Sequence, residues 1–314
     1  MKPNLTFSKF AAFPVATALA VIILGISCQK SSVTENQSSD NFLNQQKLDV
    51  TNALVEASGS DEENFELVME DENAEASNVS NAKVAESPVT YSPSKFVGRT
   101  VTYSPSKNVY PHTKTIDFGA GFTSANGVTK SGKIIITYYD AAADAQGKYS
   151  VTTYDNYYVN GSHIEGSIQV NKIKNGTGKD VYLHIIHRTI SNAAGNLKDY
   201  NGNAKWTVID WKGGTNNAYE IAAHTEGKET YNGIGANNFK TDIDDNNPVI
   251  KPFSCNNRVQ GGLTAEIHLA KGKVKDLVEY IDYGNGECDN IATLSINGGA
   301  ATEVTLPLHF WPLN

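Results

Sequence analysis

The sequence predicts an all-β exported domain: an antiparallel meander forming a sandwich or a curled open sheet with two related halves. Three observations predict it. Runs of β-branched and aromatic residues fill the chain from 113 to 314, Asn-Gly pairs punctuate those runs, and helical periodicity is missing between them. Ahead of this domain, residues 1–27 read as a lipoprotein signal peptide, 28–83 as an acidic tether and 84–112 as an extended connector.

The leader carries Lys2 and Lys9 before an apolar run from Phe10 to Ser27, and small residues lead into Cys28. Export signals that end in a lipobox have this layout, with the cysteine acylated as the new N-terminus. A strict lipobox has Leu three places before the cysteine; here Gly25 stands there and Leu24 is one further back. The rivals are an uncleaved membrane helix, for which the run is short and broken by Pro14, and a signal cleaved without lipidation. Gln29 after the cysteine resembles lipoproteins sorted to the outer membrane, so the expected address is that membrane, lipid-anchored, facing periplasm or cell surface.

Without the leader, 24 basic side chains stand against 34 acidic ones. The excess sits in residues 31–82, with 12 acids and one base, Lys47; residues 83–314 hold 22 of each. A neutral domain argues against nucleic acid, which demands clustered Lys and Arg. In the tether, Leu43, Val50, Leu54 and Ala57 approach helical spacing. Ser60 and Glu63 have capping-box spacing ahead of Phe65, Val68 and Met69. The tether therefore reads as partly helical or as a disordered spacer.

Next comes a duplication: the heptapeptide Val89–Lys95 recurs unchanged as Val101–Lys107. Its Ser-Pro steps disfavour helix, so it reads as a connector or a pair of edge segments. Strand runs then follow, among them 133–139, 149–159 and 181–190, about twelve strands in all, with Asn-Gly pairs between or beside them beginning at 126, 160, 175, 201, 232, 285 and 297. Tyr158–Ile164 around Asn160-Gly161 is the clearest hairpin. With no helical crossovers the strands must run antiparallel.

An echo links the two halves. Asp117-Phe118-Gly119 in the first resembles Asp282-Tyr283-Gly284 in the second, and Ile164-Glu165-Gly166 resembles Val259-Gln260-Gly261. Each fits a strand end where Asp bonds the turn amides, an aromatic packs and glycine takes a bulged turn.

Lipidation of Cys28 leaves Cys255 and Cys288, and in an oxidising compartment that pair reads as a disulfide. The alternative, a metal or catalytic thiol, lacks a second Cys or a His at ligand spacing.

The motifs Asp117-Phe-Gly-x-Gly121, Asp155-Asn-Tyr-Tyr-Val-Asn-Gly161 and Asp282-Tyr-Gly-Asn-Gly-x-Cys288-Asp-Asn290 together resemble an uncharacterised lipoprotein family of Bacteroidetes, over roughly 110–306. The resemblance implies an all-β exported domain and no assigned activity. Where that family's first glycine motif often carries a cysteine, this chain has Phe122.

Chemistry is sparse. Asp117-Phe118-Gly119 resembles the kinase metal-binding triplet, but His187-Arg188-Thr189 follows it and lacks the Asp of a catalytic loop. No nucleophile elbow and no His-Glu-x-x-His occur, so no enzyme is expected. His184 and His187, three apart on a strand, face opposite ways. Asp242, Asp244 and Asn246 alternate hard oxygens and form a calcium-like loop, although Asn247 replaces the glycine an EF-hand requires and Phe253 falls at its twelfth position. A solvated acidic turn is the other reading, and no further cofactor is expected. Trp206 and Trp211, five apart, face opposite ways, and one of them with Tyr154, Tyr157 and Tyr158 would form a sugar-stacking platform if they converged. The expectation is therefore a lipid-anchored body of structural or binding type, with a protein or glycan partner. Glycan processing is the alternative, to be decided by whether the aromatics meet the 242–245 loop. A carrier of lipid or lipoprotein would demand an apolar interior, which the polar residues inside the strands argue against.

Overall fold

Alternation is the rule the strands obey. In His112–Asp117 every second residue is buried, which puts His112, Lys114 and Ile116 on one face and three polar neighbours on the other. The computed structural model describes residues 64–69, 98–106, 109–123, 127–140, 142–193, 195, 197–231, 234–255, 257–269 and 276–306, all within one unit, Asp49–Asn314.

Among these residues a single antiparallel sheet holds fifteen strands. The first group is β1 (Thr100–Ser104), β2 (His112–Asp117), β3 (Phe122–Thr123), β4 (Thr129–Tyr138) and β5 (Lys148–Val159). The middle group is β6 (Ser162–Lys174), β7 (Asp180–Ser191), β8 (Leu197–Ile209), β9 (Ala218–Tyr231) and β10 (Ile234–Ile243). The last group is β11 (Val249–Pro252), β12 (Gln260–His268), β13 (Asp276–Asn285), β14 (Ile291–Ile296) and β15 (Thr302–Thr305). Sequence neighbours pair along the path β1-β2-β4-β5-β6-β7-β8-β9-β10-β12-β13-β14-β15. Short β3 pairs β4, and β11 pairs both β9 and β12, so β11 takes over the place of β10 after the loop at 244–248. The second copy of the duplicated heptapeptide supplies β1, an edge strand; the first copy lies outside the described residues.

Residues 64–69 form a helix, α1, on the buried face of the sheet. Phe65, Leu67, Val68 and Met69 join one continuous core with residues from Ile116 to Leu306. The helix touches widely separated strands at once. Lys114 Nζ in β2 donates to the Leu67 carbonyl at 3.1 Å, and the Tyr138 hydroxyl in β4 donates to the Val68 carbonyl at 3.1 Å. Phe65 meets Tyr182, Trp206 and Tyr219 in β7, β8 and β9. Six residues of helix measure ~9 Å, whereas the path from β2 to β9 spans roughly 29 Å on a flat sheet at the usual strand spacing. The sheet must therefore curl around α1. One curled sheet, not a sandwich, is the architecture, and part of the acidic segment belongs to its core.

The echo between halves is structural. Asp117 Oδ1 accepts from the Gly119 amide at 2.7 Å, and Asp282 Oδ1 accepts from the Gly284 amide at 2.9 Å. Phe118 and Tyr283 are both buried, Phe118 beneath the Lys130 ammonium at 5.0 Å and Tyr283 beneath the Arg258 guanidinium at 5.3 Å. Gly166 and Gly261 have φ of 108° and 89°, and a Cβ on either would come 2.1 Å from a backbone carbonyl oxygen, of His187 or Pro248.

One expectation about turns is corrected. Asn160 and Gly161 do form a positive-φ hairpin turn, as do Asn297 and Gly298. Asn201-Gly202 instead lies in the middle of β8, where a Cβ on residue 202 would meet Thr225 Cγ2 at 2.4 Å. There the glycine makes room for the neighbouring strand and makes no turn.

Candidate functional site

The outer face carries a groove of about 550 Å³ whose position follows from strand register. Cross-strand pairing aligns Ile185, Asn203, His224 and Asp242 in one row and Leu183, Lys205 and Ala222 in the next. The loop between β10 and β11 adds Asp244 and Asp245 at one end. Apolar Leu183, Ile185 and Ala222 make a floor between polar walls.

The acidic loop spends its oxygens locally. Asp244 Oδ1 accepts from the Asn246 amide at 2.8 Å and from Asn246 Nδ2 at 2.9 Å, closing an Asx turn. Asp245 pairs with Lys205. Asp242 Oδ1 lies 3.7 Å from His224 Nδ1, and both side chains are more than half exposed, so that pair adds little energy. Of the three residues read as a calcium-like loop, Asp244 and Asn246 are thus bonded to each other, and Asp242 stands beside His224. Among the described residues no group of three or more His, Cys, Asp and Glu side chains is placed to hold a metal.

The aromatic residues divide between the two faces. Tyr154 and Tyr157 stack at 5.7 Å on the inner side, where Arg188 donates to the Tyr154 hydroxyl at 2.9 Å and to the Tyr200 hydroxyl at 3.0 Å. Tyr158 faces outward and stacks on His163 at 4.6 Å. Trp206 is buried, and Trp211 packs beyond the end of β8 beside the Cys255 cluster. No joint platform with the 242–245 loop results. Cys255 and Cys288 are disulfide-bonded, Cα atoms 5.8 Å apart, tying the segment after β11 to the turn after β13. Cys28 lies outside the described residues.

His184 and His187 do face opposite ways. His187 is exposed and shares a 2.6 Å hydrogen bond with Asn201 Oδ1. His184 is buried, stacked on Trp206 at 5.4 Å, and burial pushes its pKa down from 6.5 to about 3. It belongs to a cage around Phe65 whose other walls are Tyr182, Trp206 and Tyr219, with ring centroids 4.8 to 5.2 Å from the Phe65 ring. Beside this cage Lys251 Nζ lies 3.9 Å from Glu66 Oε1.

That inner face is the feature sequence reasoning missed. Six cationic side chains, Lys114, Lys130, Arg188, Lys198, Lys251 and Arg258, and two carboxylates, Glu229 and Glu279, are buried among the described residues. Charge alone places such residues outside. The signal that could have found them is period two, which puts Lys114 on the face of Ile116 and Arg188 on the face of Ile186.

No protein-family model, curated protein or solved structure matches this chain. No helix of the described residues is long and apolar enough to cross a membrane.

Proposed function

We propose that the chain is an exported lipoprotein, acylated at Cys28 and held at the outer membrane, whose curled β body serves a structural or binding role toward a protein partner. One observation carries the structural half of this reading: α1 follows the proposed lipid site by 36 residues and is seated in the core of the sheet. An anchor placed there would pull on packed core, and the reach of the intervening segment is bounded by about 3.3–3.6 Å per residue. A binding role, as opposed to chemistry, is supported by the outer groove, whose polar groups are exposed and mostly engaged with one another. The division of the tyrosines between faces weighs against a glycan platform.

Metabolic labelling with a palmitate analogue tests the proposal. The native chain is expected to carry label and to fractionate with the outer membrane, and Cys28→Ser to lose both. An unlabelled native chain in cells that label other lipoproteins would overturn it.

A further inference from the structure

We infer that the inner face of the curled sheet is a peptide-binding groove which α1 fills in cis, and that it accepts from a partner protein an acidic peptide in which an aromatic residue is directly followed by a carboxylate. The contacts around α1 are those of peptide recognition. An aromatic cage takes the Phe65 ring, and a cation stands 3.9 Å from the Glu66 carboxylate. Lys114 and Tyr138 take two consecutive backbone carbonyls, of Leu67 and Val68. Side-chain pockets plus main-chain hydrogen bonds are the general means of reading a segment, and Lys251 beside the Glu66 carboxylate suits an acidic one.

A second observation marks α1 as a replaceable occupant. On the sheet, Ser150 Oγ, Thr152 Oγ1 and His184 Nε2 are buried without hydrogen-bond partners. Ser150 and His184 share one cross-strand row through Val170, and Phe65 lies against His184. Unsatisfied buried polar groups are a standing cost, so a peptide that reaches them binds better than α1 does. The inference does not depend on the anchor, because an unacylated chain has the same inner face.

The probe is a fluorescein-labelled peptide of residues 58–72 of this chain, titrated by anisotropy into the full-length protein. Wild type is expected to bind weakly because α1 competes from within. Phe65→Ala, which weakens the internal occupant, is expected to bind at least tenfold tighter. Adding Trp206→Ala, which removes a cage wall, should reverse that gain. A folded Phe65→Ala chain that binds no tighter than wild type overturns the inference. Should Phe65→Ala fail to fold, a protease site inserted after Lys83 in the otherwise native full chain decides the matter. After cleavage the labelled peptide is expected to exchange with the severed α1, whereas a body that unfolds or refuses exchange shows α1 to be an integral element and overturns the groove.

Discussion

Replacing Gly166 by alanine tests how tightly the sheet is wound where its two halves echo one another. A Cβ at this position would lie 2.1 Å from the His187 carbonyl oxygen and 2.9 Å from Arg188 Cα, both backbone of the neighbouring strand β7. An ordinary contact is 3.4–4 Å, so β6 and β7 must part by more than an ångström, and no flexible side chain can yield instead. Hydrogen bonds stretched that far are lost. Two or three lost ladder bonds at roughly 1 kcal/mol each, added to about 1–2 kcal/mol for alanine at positive φ, bring the cost to about 3–5 kcal/mol. Arg188, which holds Tyr154 and Tyr200, would move with its strand. Gly161→Ala is the control: its φ is 79°, nothing lies within 4 Å, and only the φ penalty of about 1–2 kcal/mol applies. Urea unfolding of the two variants and wild type, read by far-UV circular dichroism and extrapolated linearly, gives both costs. Costs equal within about 0.5 kcal/mol would refute the reasoning.

Three further outcomes are expected. Reduction of the disulfide, or Cys255→Ser with Cys288→Ser, should destabilise by about 3–4 kcal/mol in the chain-entropy model for its 33-residue separation, measured by urea unfolding; a loss below about 1 kcal/mol would show the loop already constrained without the bond. His184 stays neutral in the folded chain down to about pH 3, while in the unfolded chain it binds a proton near its ordinary 6.5, so stability should be complete above pH 6.5 and decline as pH falls from 6.5 toward 3, by about 2 kcal/mol at pH 5. His184→Phe should flatten that part of the pH profile, and an unchanged slope would assign the acid sensitivity elsewhere. Lys114→Met strands the buried Leu67 carbonyl, so it should cost about 1–3 kcal/mol and speed hydrogen exchange within residues 64–69; unchanged exchange would show that the bond does not hold α1.

How much of this was legible depends on the range of the interaction. The hairpin at Asn160-Gly161 was readable because two residues set its backbone. Period two sorted His184 from His187, since facing is a local property of a strand. Strands β3 and β11, with 2 and 4 residues, carry too little pattern to be counted, which is part of why about twelve were expected and fifteen are found. Asn201-Gly202 misled because the pair that favours a turn also admits a close neighbouring strand, and sequence does not say which use applies. The apolar spacing of Phe65, Val68 and Met69 was visible, but the ring partners of Phe65 lie more than 100 residues away in β7, β8 and β9, so spacing gave a helix without its destination. The buried cations were hidden for the same reason, as the Leu67 carbonyl that meets Lys114 lies 47 residues away in α1 and the Tyr283 ring that meets Arg258 lies 25 residues away in β13.

That the sheet is wound around a segment of its own N-terminal region can be read from nuclear Overhauser contacts of the Phe65 ring in full-length protein. Cross-peaks from its ring protons to the Trp206 indole and to the Tyr182 and Tyr219 rings are expected, with centroids 4.8 to 5.2 Å apart. Phe65 resonances at random-coil shifts, with no contact to any of the three rings, would contradict it.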